Sequence, residues 1–193
     1  MKLIIASNNK HKIKEIKTIL RGKFDEIISL SEAGISHETV EDGKTFIENA
    51  LKKAREIAEL SGECALADDS GITAHALGDE PGVYSARYAG TDDKNAADEE
   101  NNKLLLKNLE GKADRTAHYT AALALVYPDG TSVTAEGYMY GTLIDTPRGE
   151  AGFGYDPIFV PDGESRTVAE MTPDEKNKIS HRAKALWALL NKL

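Results

Sequence analysis

Residues 2–12 read Lys2-Leu3-Ile4-Ile5-Ala6-Ser7-Asn8-Asn9-Lys10-His11-Lys12. The run from Leu3 to Ala6 is apolar and stops at Ser7-Asn8-Asn9, the pattern of a buried strand that ends in a polar loop. Ile13, Ile16 and Leu20 then fall on one helical face, and Gly22 supplies the stop. A strand, a loop at its carboxyl end and a helix make the opening unit of an α/β fold. In such folds ligands sit beyond the carboxyl ends of the strands, and a helix N-terminus offers free N–H groups to phosphate. Ser7 and Asn9 add neutral donors, and Lys12 adds a cation where a phosphate chain would lie. The same residues also read as a polar turn with a solvated basic helix face.

Working outward, residues 24–30 form a second candidate strand. Thr45 followed by Glu48 is a capping box, and Phe46, Ala50, Ala54, Ile57 and Ala58 share one face of the helix it opens, which Gly62 ends. Residues 64–67 are a brief strand, with Asp68-Asp69-Ser70-Gly71 at its end. Residues 81–90 form a turn-rich loop, and residues 96–109 a helix with acids early and Lys103 and Lys107 late, as the macrodipole prefers. Residues 116–127 and 131–140 are β-rich and joined by Pro128-Asp129-Gly130, a hairpin signal. Thr172 and Glu175 repeat the capping box with Pro173 at the first helical position. Ala183, Leu186, Trp187 and Leu190 mark the buried face of the last helix. The expected fold is α/β, a mixed central sheet flanked by helices.

Composition narrows the function. In 193 residues, 40% are hydrophobic and 29% charged, the mix of a soluble globular protein. Lys plus Arg number 24 against 32 Asp plus Glu, a net charge of −8 that argues against a general nucleic-acid surface but not against one small anion. The single cysteine, Cys64, excludes an intramolecular disulfide framework and a Cys-rich zinc site. The apolar run at the start is too short for a signal peptide, and no stretch approaches a membrane span. These features predict a cytoplasmic protein with no membrane partner, organised as one domain over residues 1–193.

Several standard sites fail. Gly43-Lys44-Thr45 ends like a phosphate-binding P-loop, but Glu38 stands at the required earlier glycine. Gly152-Phe153-Gly154 begins a dinucleotide fingerprint that reaches Pro157 instead of a third glycine. Asp68 occupies the first glycine of a nucleophile elbow around Ser70. The five histidines lack metal-ligand spacing. What remains is a combination. Adjacent acids Asp68 and Asp69 after a buried strand are costly unless exposed, capping or metal-bound. Glu41-Asp42 forms a second acidic loop, and Mg²⁺ needs only one or two carboxylates besides water and substrate phosphates, so Glu41 and Asp69 suffice. Gly152–Pro157 permits close backbone approach and offers aromatics to a base, or is simply an aromatic-packed turn. Lys176 and Ser180-His181-Arg182 add donors, or ordinary surface charge.

Six segments taken in order resemble the non-canonical purine nucleoside triphosphate pyrophosphatases, also called inosine/xanthosine triphosphate pyrophosphatases. They are Ser7-Asn8-Asn9-Lys10-His11-Lys12, Thr45-Phe46-Ile47-Glu48-Asn49-Ala50, Ala67-Asp68-Asp69-Ser70-Gly71, Pro81-Gly82-Val83-Tyr84-Ser85-Ala86-Arg87-Tyr88, residues 152–159, and Ser180-His181-Arg182-Ala183. The resemblance implies hydrolysis of ITP, dITP and XTP to monophosphate and pyrophosphate, dependence on Mg²⁺, two lobes with an active-site cleft between them, and a homodimer. It implies that Ser7, Asn8, Asn9, Lys10, His11 and Lys12 hold the triphosphate, with Lys53 reaching the phosphates and Ser70 contacting substrate. Glu41 and Asp69 would serve the metal, and Asp69 would be the catalytic base. Phe153, Gly154, Tyr155, Asp156, Lys176, His181 and Arg182 would form the base pocket. Val40 stands where some relatives carry an acid, so Glu41 takes that loop's metal role alone or shares it with Asp42. The Ser-x-Ser-Pro-Arg-Arg loop of the related Maf-type pyrophosphatases is absent.

Overall fold

A computed structural model describes residues 1–90 and 97–193. The longer elements are β1 (Lys2–Ile5), α1 (Lys10–Ile19), β2 (Glu26–Ser29), α2 (Phe46–Ser61), β3 (Cys64–Ala74), α3 (Ala97–Asn108), β4 (Thr116–Val126), β5 (Ser132–Leu143), β6 (Phe159–Pro161), α4 (Pro173–Ile179) and α5 (His181–Leu190). The six strands form one sheet in the order β2-β1-β3-β4-β5-β6. β1 runs parallel to both β2 and β3, and β6 runs antiparallel to β5, so the sheet is mixed as the α/β reading expects.

Local chemistry accounts for most boundaries. Asn9 caps α1, and the Thr45–Glu48 and Thr172–Glu175 boxes open α2 and α4 with both reciprocal hydrogen bonds made. Gly62 closes α2 in the left-handed conformation at φ +68°. Three expectations change. β3 does not stop before Asp68 but runs through to Ala74, so Asp68-Asp69-Ser70-Gly71 lies within a strand rather than in a loop. The C-terminal segment is two helices, because Ser180 is extended (ψ 151°) and breaks the run between α4 and α5. Trp187 is 44% exposed, and Leu189 takes its expected place in the core. The helix expected over residues 96–109 appears as α3, while Ala96 lies outside the described residues.

The chain divides into two compact units: Met1–Asp69, Ala121–Gly137 and His181–Leu193 form the first, and Ser70–Thr120 with Tyr138–Ser180 the second. The first unit has two apolar clusters, sorted by strand alternation. Leu3, Ile5, Cys64 and Leu66 join Ile16 and Leu20 of α1 and Ala185, Leu186 and Leu189 of α5. Their neighbours Ile4, Ala6, Ala65 and Ala67 join Ala50, Ala54, Ile57 and Ala58 of α2. Successive side chains of a strand point to opposite faces. The alternation therefore delivers Asp68 to the α1/α5 face and Asp69 to the α2 face. In the same unit Gly137 of β5 lies so close to α5 that a Cβ there would overlap the His181 carbonyl oxygen and the Ala185 amide nitrogen. The second unit packs Ile72, Leu105, Met139, Ile158 and Val168 around Tyr119 and Phe159, whose rings meet edge-on at 4.9 Å.

Candidate functional site

In the first unit the polar loop after β1 is organised by its own cap. Asn9 Oδ1 accepts the His11 and Lys12 amides at 2.9 and 3.2 Å, and Ser7 Oγ accepts the Asn9 amide at 3.1 Å. Two of the N–H groups expected for an anion are thus already used by the chain. Asn8, Asn9, Lys10 and His11 are exposed, whereas Lys12 turns inward to Asp68, with Nζ 2.6 Å from Oδ1. Burial pushes the Lys12 ammonium below its ordinary pKa, against the pull of Asp68.

Asp68 is fully buried, not exposed. Its Oδ2 accepts Arg182 Nε at 2.9 Å, and the other side of that guanidinium pairs with Glu15. Burial alone would raise the Asp68 pKa, but Arg182 and Lys12 together outweigh it and hold the carboxyl well below its usual range. Arg182 is itself 1% exposed and committed to two carboxylates. Within this unit it secures the Asp68–Lys12 pair, and His181 beside it is also buried.

Asp69, one residue on and on the opposite face, is 7% exposed. Asn49 Nδ2 donates to its Oδ2 at 3.0 Å, while Oδ1 faces Lys53 Nζ at 3.4 Å. Lys53 donates to the Asp68 carbonyl oxygen at 2.9 Å and pairs with Glu41. Burial raises the Asp69 pKa although Lys53 and Lys12 oppose it. For Lys53 the balance goes the other way: burial would lower its pKa, but Asp69 and Glu41 raise it. Exposed Asp42 points to half-buried Lys52, 2.7 Å away, so Glu41 is the acid of that loop that converges with Asp69.

No group of three or more His, Cys, Asp or Glu among the described residues is arranged to hold a metal. Mg²⁺ does not need one, since one or two carboxylates with water and phosphate oxygens complete its shell. Glu41 and Asp69 meet on one ammonium, so both already face a common cation. That donor set fits Mg²⁺.

The second unit gathers Phe153, Asp156 and Lys176. Asp156 is buried; its Oδ2 accepts the Phe153 amide at 3.1 Å and Lys176 Nζ at 2.8 Å, and its Oδ1 accepts the Tyr119 hydroxyl at 3.2 Å. Lys176 Nζ also lies 4.6 Å from the Phe153 ring centroid. Gly152 has φ +79°, and a Cβ there would overlap Asp156 Oδ2. Gly154 donates its amide to Asp98 at 2.6 Å and accepts Asn102 Nδ2 at 3.1 Å, so α3 holds both polar groups of that peptide. Tyr155 is buried with its hydroxyl on the Ser85 carbonyl oxygen at 2.7 Å, which leaves Phe153 as the half-buried aromatic of the turn. Ser70 opens this unit and is half-buried.

The residues implied for the base pocket come from both units. Lys176 joins Phe153, Gly154, Tyr155 and Asp156, whereas His181 and Arg182 belong to the first unit with Asp68. Sequence reading missed Glu15, Asn49, Asp98 and Asn102. Only Asn49 carried a visible signal, a polar side chain on the apolar face of its helix.

The family model described as the Ham1 family matches residues 3–192. The chain belongs to the Ham1 family. It is 48% identical over 186 residues to the dITP/XTP pyrophosphatase of Bacillus subtilis, covering 96% of this chain and 93% of that protein. It is 46% identical over 194 residues to the dITP/XTP pyrophosphatase of Geobacter sulfurreducens, covering 100% and 96%. A Ham1 protein from Coxiella burnetii superposes with a TM-score of 0.89 at 39% identity, covering 100% of this chain and 98% of that one. The Ham1 protein of Staphylococcus aureus gives 0.87 at 38%, covering 100% and 97%. The mixed sheet and its flanking helices are thus the Ham1 fold.

Proposed function

We propose that this Ham1 chain hydrolyses non-canonical purine nucleoside triphosphates, dITP, ITP and XTP, to the nucleoside monophosphate and pyrophosphate. The observation that carries the reading is the meeting of Asp69, Glu41 and Lys53 on the α2 face of β3, with Lys12 held by the neighbouring Asp68. This is the combination of bases and cations that attack on a phosphoanhydride requires. The relatives named above as dITP/XTP pyrophosphatases supply the substrate class.

Asp69 holds the attacking water and takes its proton. Lys53 keeps that carboxylate and Glu41 in one place. Mg²⁺, held by Glu41 and Asp69, would neutralise charge on the phosphate oxygens. Ser7, Asn8, Lys10 and His11 bind the triphosphate, and Lys12 stabilises the departing pyrophosphate. Phe153 and Lys176 take the purine, with Ser70 touching substrate. Arg182 serves through its bond to Asp68, and His181 contacts substrate. A 6-oxo purine offers an acceptor where adenine offers an amino donor, so a donor such as Lys176 disfavours adenine. One unmatched buried donor costs about 1–3 kcal/mol. The resemblance further supports one functional domain acting as a homodimer in the cytoplasm, which light scattering and fractionation check.

The test is a panel of ITP, dITP, XTP, ATP and GTP with Mg²⁺, scored for product. Monophosphate plus pyrophosphate from the first three supports the reading. Release of inorganic phosphate, or saturable ITP binding without turnover, overturns it.

A further inference from the structure

Asn49 is 1% exposed and sits on the apolar face of α2, among Ala50, Ala54, Ile57 and Ala58. A buried amide in such a row is costly unless both its ends are bonded, and here both are. Its Oδ1 accepts the Gly43 amide at 2.8 Å, and its Nδ2 donates to Asp69 Oδ2 at 3.0 Å. The partners fix the orientation, because a backbone N–H needs an acceptor and a carboxylate needs a donor. Gly43 must also be glycine for this approach: a Cβ there would lie 2.5 Å from Asn49 Oδ1. Gly43 stands two residues after Glu41.

We infer that Asn49 is a positioning residue for the reaction, tying the Glu41 loop to Asp69 so that the two carboxylates face one cation. The inference rests on the functional reading above. By occupying Oδ2, Asn49 leaves Oδ1 of Asp69 directed at Lys53, the ammonium that Glu41 also holds. No other side chain of similar size performs both tasks. Alanine deletes both bonds, aspartate sets a second carboxylate against Asp69 and loses the donor, and glutamine adds a methylene where Gly43 already presses.

The experiment compares wild type with Asn49→Ala and Asn49→Asp, and with Gly43→Ala as an independent route to the same contact. It reads kcat and KM for ITP well below the melting temperature, and Mn²⁺ binding by loss of the free-ion EPR signal. Outer-shell partners of metal ligands typically contribute ~10–100-fold. We expect kcat to fall by about that factor, Mn²⁺ affinity to weaken by a similar one, and KM to move less than about threefold. Gly43→Ala should follow in the same direction, and Asn49→Asp should be the most impaired. If wild type turns over ITP but the variants that fold retain kcat and Mn²⁺ affinity, Asn49 is only structural and the inference falls alone. If wild type neither turns over ITP nor binds Mn²⁺, the functional reading falls and takes the inference with it.

Discussion

Asp68 and Asp69 are chemically identical neighbours with opposite tasks, and each makes a different prediction. Asp69→Asn keeps volume and an acceptor for Asn49 but removes charge and basicity. Turnover of ITP should fall ~10²–10⁴-fold in steady-state assays while circular dichroism shows the fold retained. Asp68→Asn removes the partner of half-buried Lys12 and buried Arg182, and should cost about 3–5 kcal/mol in chemical denaturation. The same carboxyl sets an acid dependence. Its folded pKa lies below its unfolded value, so its contribution is complete above about pH 3.9 and is lost as the pH falls. Each unit below that removes about 1.4 kcal/mol, so the acid limb of a melting-temperature profile should be flatter in Asp68→Asn than in wild type.

At the level of elements, the capped helices were legible because their signals are local: Thr45 with Glu48, Thr172 with Pro173 and Glu175. β3 was not. Its apolar run ends at Ala67, and only tertiary partners such as Lys12, Arg182, Asn49 and Lys53 make it possible to continue a buried strand through two carboxylates. The acids were visible as candidates, but their burial was not, since nothing nearby in sequence announces a counter-ion at position 182. Trp187 stands outside the core because the buried face of α5 is turned toward Arg182, Ala185 and Leu189, which leaves the indole on the exposed flank. The contact between β5 and α5 gives an element-scale prediction. Gly137→Ala forces a methyl against α5 backbone atoms that no side-chain rotation relieves, and should destabilise the fold by about 3 kcal/mol in urea denaturation.

For the molecule as a whole, the net charge of −8 means that a tetra-anionic nucleotide approaches against the general field and depends on local cations. A ligand that binds only the folded chain stabilises it by about 2.7 kcal/mol at a hundred times its Kd. A non-hydrolysable ITP analogue with Mg²⁺ should therefore raise the melting temperature by several degrees. The adenosine counterpart should do so much less, and chelation should cancel the ITP effect together with turnover. Differential scanning fluorimetry reads all three arms. The fold class was available from the alternation of strand and helix signals, and the substrate class from the ordered segments. The unit boundary between Ser180 and His181 was not, because residues 176–182 are continuous in sequence and only the extended Ser180 marks it.

The two-sided strand has a consequence for how this gene product can change. Since adjacent residues serve opposite faces, the number of residues between Cys64 and Asp69 matters as much as their identity. Losing or gaining one alanine there would keep every reactive side chain in the polypeptide yet rotate Asp69 toward the guanidinium side and empty the α2 side. Two residues at once would restore the faces but slide the carboxylate ~6.6 Å along the strand. Drift in this stretch is thus confined to point substitution, and insertions and deletions are barred.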